Sequence, residues 1–342
     1  MTERWYALAI LGSLGGCGKD KDDDSEIPEE CTTQLTGTVP VGGAGDAYYR
    51  ADIEATFDAA DETSTITLYD ASGTPVDGSE HRNDDATVAY FTPDEPLTPG
   101  ASYSAEIMWC DMGETETVDF TTSSLGEALD DPTAVDGRTY LVNLQDARFA
   151  EPAGVGPLLA LKVNQSILLT VSSVDATSLT MIGALTVDNG STQDFCLPTI
   201  NFPKPADFTE APYWEVQADE AILNVAENDV SIQNLVISGT FSSDAATFGG
   251  GVLAGTIDTS LLGVLLGSKD PGYMCDLADD FGDECTKCPD GSPYCLGLRL
   301  DQLVGDSTAT VAVRPIDQRD CDAECPASKK NKDCEKYYVP PT

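Results

Sequence analysis

The sequence has a single histidine, His81, in 342 residues, and only 18 lysines and arginines against 59 aspartates and glutamates. Each shortage removes a class of function. A Ser-His-Asp or Cys-His arrangement could be built only around His81, which lies in the polar run Gly78-Ser79-Glu80-His81-Arg82-Asn83-Asp84-Asp85 and reads as an exposed loop. No G-x-S-x-G elbow, P-loop or G-x-G-x-x-G run is present. A net charge of −41 excludes direct nucleic-acid binding, which needs clustered cations on phosphates, and opposes lying flat on an anionic bilayer. No segment approaches the length of uninterrupted apolar sequence that a spanning helix requires. Paired carboxylates can hydrolyse glycosides, but among 59 acids any two can be nominated, so no catalytic residue is assigned.

The N-terminus carries the first positive signal. Met1-Thr2-Glu3-Arg4 precedes an apolar stretch from Trp5 to Leu14, short enough for a signal-peptide core and too short to span a bilayer. It ends in Leu14-Gly15-Gly16-Cys17, which resembles the lipobox of bacterial lipoproteins: an aliphatic residue, two small residues, then cysteine. That resemblance implies cleavage after residue 16 and a lipid on Cys17, with Gly18 after the cysteine implying the outer membrane. Residues 17–30 are polar and acidic, with Asp20, Asp22, Asp23, Asp24, Glu26, Glu29 and Glu30, and read as a solvated tether. Removing residues 1–16 deletes one acid and one base and leaves the charge at −41. Eleven cysteines minus Cys17 leave ten, an even number that suits disulfides in an oxidising compartment.

Residues 31–125 read as an all-β unit. Thr65-Ile66-Thr67-Leu68-Tyr69 alternates and is followed by the turn signal Asp70-Ala71-Ser72-Gly73; Tyr103 to Trp109 and Val118 to Thr121 alternate again. Ile53-Glu54-Ala55-Thr56-Phe57, the run from Phe91-Thr92-Pro93 through Leu97-Thr98-Pro99-Gly100 to Tyr103, and Asp119-Phe120-Thr121-Thr122 resemble the bacterial Ig-like domains of surface proteins. That resemblance implies a β-sandwich acting as spacer or adhesive module, without catalytic residues. Cys31 and Cys110 are the two cysteines of this unit and are paired. Cys110 alternates away from Tyr103, Ile107 and Trp109, so the bridge is expected to fasten the first strand from outside the core.

Gly126 to Gly137 is turn-rich and marks the boundary. Residues 126–342 read as a larger, mainly antiparallel β domain with a disulfide-rich C-terminal segment. Strands are expected at Tyr140–Val142, Ile167–Val171, Thr177–Val187, Ala221–Val225, Val230–Gly239 and Gly249–Thr256, with short helices near Ser260–Leu266 and Met274–Phe281. This half is similar, in outline, to C-terminal regions of bacterial lipoproteins.

Cys196, Cys275, Cys285, Cys288, Cys295, Cys321, Cys325 and Cys334 are read as disulfides, their connectivity open. The inner Cys285-Thr286-Lys287-Cys288, flanked by Cys275 and Cys295, offers four thiolates to zinc, but the outer spacings of nine and six residues break the usual paired-doublet pattern. No βαβ pattern supports a thioredoxin-like role. Asp276, Asp279, Asp280, Asp283, Glu284 and Asp290 could offer oxygens to calcium, without a D-x-D-x-D-G loop to organise them. No metal and no cofactor beyond the lipid is therefore assigned. Leu158–Leu161 and Leu261–Leu266 could line an apolar cavity but suit a core better.

The expectation is a non-enzymatic envelope or surface lipoprotein, in contact with the membrane through its anchor and with envelope proteins or glycans. Two alternatives are a carrier enclosing a small apolar ligand in the second domain, and a secreted carboxylate-dependent hydrolase.

Overall fold

The computed structural model describes residues 31–152, 154–156, 165–187, 190–225, 228–289, 291–308 and 312–316. Cys17 and its lipobox, the acidic tether, Leu158–Leu161, Asp290, Cys321, Cys325 and Cys334 lie outside them. Among the described residues, the regular structure is almost entirely antiparallel β.

The N-terminal unit contains β1 (Leu35–Val39), β2 (Ile53–Phe57), β3 (Thr65–Asp70), β4 (Gly78–Arg82), β5 (Val88–Pro93), β6 (Ser102–Trp109) and β7 (Glu114–Thr121). They form two sheets, ordered β1-β2-β5-β4 and β3-β6-β7. Period-two alternation puts Ile53, Ala55 and Phe57, Ile66 and Leu68, and Tyr103, Ala105, Ile107 and Trp109 into one core between the sheets. The Tyr103 hydroxyl accepts a hydrogen bond from the Thr98 N–H at 2.9 Å, tying the Leu97–Gly100 corner to the start of β6. His81 belongs to the edge strand β4 rather than to a loop, exposed and stacked on Tyr90 with ring centroids 4.7 Å apart.

The second unit contains β8 (Thr139–Asn143), β9 (Arg148–Glu151), β10 (Ser166–Val174), β11 (Ser178–Leu185), β12 (Ile200–Asn201), β13 (Ala206–Asp207), β14 (Tyr213–Val225), β15 (Asn228–Phe241), β16 (Thr247–Asp258) and β17 (Cys295–Thr308). All ten join one sheet, ordered β12-β11-β10-β8-β17-β16-β15-β14, with β13 on β11 and β9 on β17. Register shifts in the long strands coincide with left-handed residues at Asn234 (φ 51°), Gly250 (φ 58°) and Gln302 (φ 59°). Such bulges bend a strand and raise its twist. The sheet curls until β12 and β13 touch β14, enclosing a second, separate core. Trp214, Tyr140, Phe208, Phe241 and Phe248 fill its middle, all fully buried, with neighbouring rings 5.2–6.5 Å apart. Gly305 allows this packing: a Cβ there would overlap the Phe248 ring.

The two expected helices are present in shortened form, as a 3-10 turn at Leu262–Leu266 and α1 at Tyr273–Asp279. β17 is the central strand that the sequence pattern did not signal; it pairs with β16, β8 and β9.

Candidate functional site

The cysteines do structural work where they are described. Cys31 bonds Cys110, Cys275 bonds Cys285 and Cys288 bonds Cys295, and Cys196 is also disulfide-bonded. The four sulfurs that could have gathered round zinc are thus consumed in two short-range bridges. These bridges staple the segment between β16 and β17, where α1 contributes Met274 and Ala278 to the core while Phe281 stays exposed. The Cys31–Cys110 bridge lies outside the sandwich core, as the alternation predicts. Its cause is more specific: Cys110 has already left β6 and begins a left-handed turn with φ values of 59°, 53° and 65° at Cys110, Asp111 and Met112. Left-handed conformations cost L-residues free energy, so this turn needs external partners. The Asp61 carboxylate accepts the Cys110 N–H at 2.8 Å, and the Thr63 hydroxyl accepts the Asp111 N–H at 2.8 Å.

Asp61 exemplifies one use of the acid excess. Burial pushes its carboxyl upward, but hydrogen bonds from the Thr63 hydroxyl and from the N–H groups of Cys110, Thr63 and Ser64 hold it below the ordinary carboxylate range. Asp70, Asp131, Asp175, Asp207 and Asp244 repeat the device on the surface. Each carboxylate accepts N–H or hydroxyl donors within four residues and is held low by them. All five close turns or strand ends, a positional preference of Asp with a hydrogen-bonding cause.

Three open grooves mark the described surface. One, of about 850 Å3, runs between the free edges of β1 and β7 and is lined by Leu35, Trp109, Glu114, Glu116 and Val118. A second, of about 630 Å3, lies at the end of the sandwich beside Tyr69, Asp70, Tyr103 and Phe120. The third, of about 400 Å3, lies beside β13 and β14, with Lys204, Asp207, Glu210, Tyr213, Glu215 and Gln217 around it. All are surface concavities; in the second unit the aromatic cluster occupies the middle of the described core.

The third groove adjoins the junction between the two units, where Arg50 and Arg148 lie. Arg148 of β9 donates Nη1 and Nη2 to the Glu54 carboxylate of β2 at 2.9 and 2.7 Å, and Nε and Nη2 to Asp301 of β17 at 2.8 and 2.7 Å. Hydrogen bonds to Asp301 and Glu54 push the Arg148 pKa up, outweighing burial. Arg50 pairs with Glu210, lies 4.0 Å over the Tyr213 ring and donates to the Tyr49 hydroxyl at 3.1 Å. Burial opposes its charge, but its hydrogen bond to Glu210 raises its pKa overall. Tyr48 bonds Thr240 through the two hydroxyls at 2.8 Å, and burial pushes its own hydroxyl far above the usual tyrosine range. None of these residues is distinguished by a local motif. They come from distant segments, and their meeting is a property of the fold.

Residues 30–122 match the bacterial Ig-like domain family. No curated protein matches the sequence. Among solved structures, CopC from Methylosinus trichosporium OB3b is 20% identical, with 27% of this chain and 93% of that chain covered and a TM-score of 0.24. The S-layer protein rSbsC is 9% identical, with a TM-score of 0.22; 82% of this chain aligns with 53% of that one, so the match spans about half the S-layer chain. The N-terminal unit is thus a bacterial Ig-like domain, a class that supports a surface or binding protein at the envelope or outside the cell. Among the described residues, no helix is long and apolar enough to cross a membrane.

Proposed function

We propose that this chain is a lipid-anchored protein of the bacterial envelope, held through Cys17, that works by structure and contact rather than by catalysis. The match of residues 30–122 to bacterial Ig-like domains carries this reading. The lipobox resemblance of Leu14-Gly15-Gly16-Cys17, the acidic tether and the bridged cysteines support export and anchoring. Its partners are envelope proteins or glycans, met on outward surfaces such as the β1–β7 groove. A carrier would need room inside the second domain, and Tyr140, Phe208, Trp214, Phe241 and Phe248 occupy that interior.

Crosslinking on intact cells of the native host tests this reading. A photo-crosslinker replacing Thr36 or Glu116, at the β1–β7 groove, should capture an envelope protein or glycan. Adducts confined to cytoplasmic proteins, or none from any groove position while the chain is folded and in the envelope, would overturn it.

A further inference from the structure

We propose that the Ig-like domain and the second domain form one rigid body, locked by two arginines seated reciprocally across their junction. Arg50 reaches from the first domain to Glu210 and Tyr213 of the second, and Arg148 reaches back from the second to Glu54 of the first. The inference does not depend on the partner or on the lipid anchor.

The geometry of Arg148 is the strongest observation. A guanidinium presents two flat donor edges, and here both are occupied by carboxylates in paired hydrogen bonds. The Asp301 pair lies within the second domain and fixes the side chain in place; the Glu54 pair crosses the junction. With side-chain exposures of 35%, 15% and 13% for Arg148, Glu54 and Asp301, these contacts are shielded beyond the ordinary surface ion pair. Close packing accompanies the charges. Gly250, left-handed at φ 58°, sits against the Tyr48 ring, and Gly249 against Leu125, at separations that leave no room for a Cβ. The Ig-like domain therefore orients the second domain rather than leaving it on a swivel.

The test uses the full chain with a fluorescent donor and acceptor on non-canonical residues replacing Glu95 and Asp219, one exposed position in each domain. The wild type should give one narrow interdomain distance distribution. Glu54→Gln keeps the Arg148–Asp301 pair and removes the crossing charge; with Glu210→Gln it should broaden the distribution at least twofold. The swap Arg50→Glu with Glu210→Arg, in an otherwise native chain, should keep it narrow, because the partly exposed pair is restored with reversed sign. A broad wild-type distribution, or an unchanged one in the Glu54→Gln/Glu210→Gln protein, would overturn the lock. Circular dichroism identical to wild type establishes that the variants are folded. Should the Glu54→Gln/Glu210→Gln protein not fold, Arg50→Gln with Glu54→Gln takes its place, removing both crossing contacts from the Ig-like side: a broadened distribution supports the lock and an unchanged one overturns it.

Discussion

Asp61 shows how one acid can hold a turn that its own residues disfavour. Its two oxygens serve Cys110 and Thr63, so Asp61→Ala leaves partly buried N–H groups without that partner and should destabilise the protein by about 1 kcal/mol in urea unfolding. An unchanged midpoint would show that the turn at Cys110–Met112 does not need the carboxylate. The depressed carboxyls also set a pH dependence. A carboxylate whose folded pKa lies below its unfolded value near 3.9 contributes stability that is present above that value and lost as pH falls through the folded pKa. Asp61, Asp70, Asp131, Asp175, Asp207 and Asp244 all act in this direction. Melting temperature should therefore fall as pH is lowered below about 4, and Asp61→Asn should flatten that fall. Gly305→Ala is a further residue-scale test. The added methyl meets the Phe248 ring in a filled core and should cost about 1–3 kcal/mol.

Among the elements, β1 and β4 carry no clean burial alternation, whereas β2, β3, β6 and the end of β7 were legible because their alternation is clean and Gly, Pro and Asp separate them. β17 was not. Leu296, Leu298 and Leu300 are buried in step, but the left-handed Gln302 inserts an extra residue and moves the next buried side chain to Leu303. A period-two pattern that changes phase mid-strand, directly after a cysteine cluster, does not announce a strand. β14 begins eight residues before the expected segment: Trp214, Val216 and Ala218 are buried in alternation with exposed Glu215, Gln217 and Asp219, a strand signal that the reading from Val, Ile, Leu and Thr content passed over. The junction was illegible for another reason. Arg148, Glu54 and Asp301 are ordinary charged residues until a sheet of ten strands brings them together. The described cysteines are disulfide-bonded; Cys31–Cys110 was paired from the sequence, whereas Cys275–Cys285 and Cys288–Cys295 needed coordinates. Peptide mapping of non-reduced protein should recover Cys275 linked to Cys285 and Cys288 linked to Cys295. Each short loop should contribute about 2–3 kcal/mol, with the stapled segment loosening first on reduction. Stoichiometric zinc with four free thiols would contradict both assignments.

At the scale of the whole molecule, two cores are joined by a charged seam, and the surface is strongly acidic. The acid excess has local explanations in the turn-closing aspartates and in Glu54 and Asp301; the rest favours solubility through like-charge repulsion between molecules. What ties such a body to the envelope is the proposed lipid on Cys17. Cells fed an alkyne-bearing fatty acid should yield the wild-type chain labelled and in the membrane fraction. The Cys17→Ser protein should be unlabelled and should leave the membrane fraction. A wild-type chain that carries no label, or a Cys17→Ser chain that stays labelled and membrane-bound, would contradict the proposed lipid anchor.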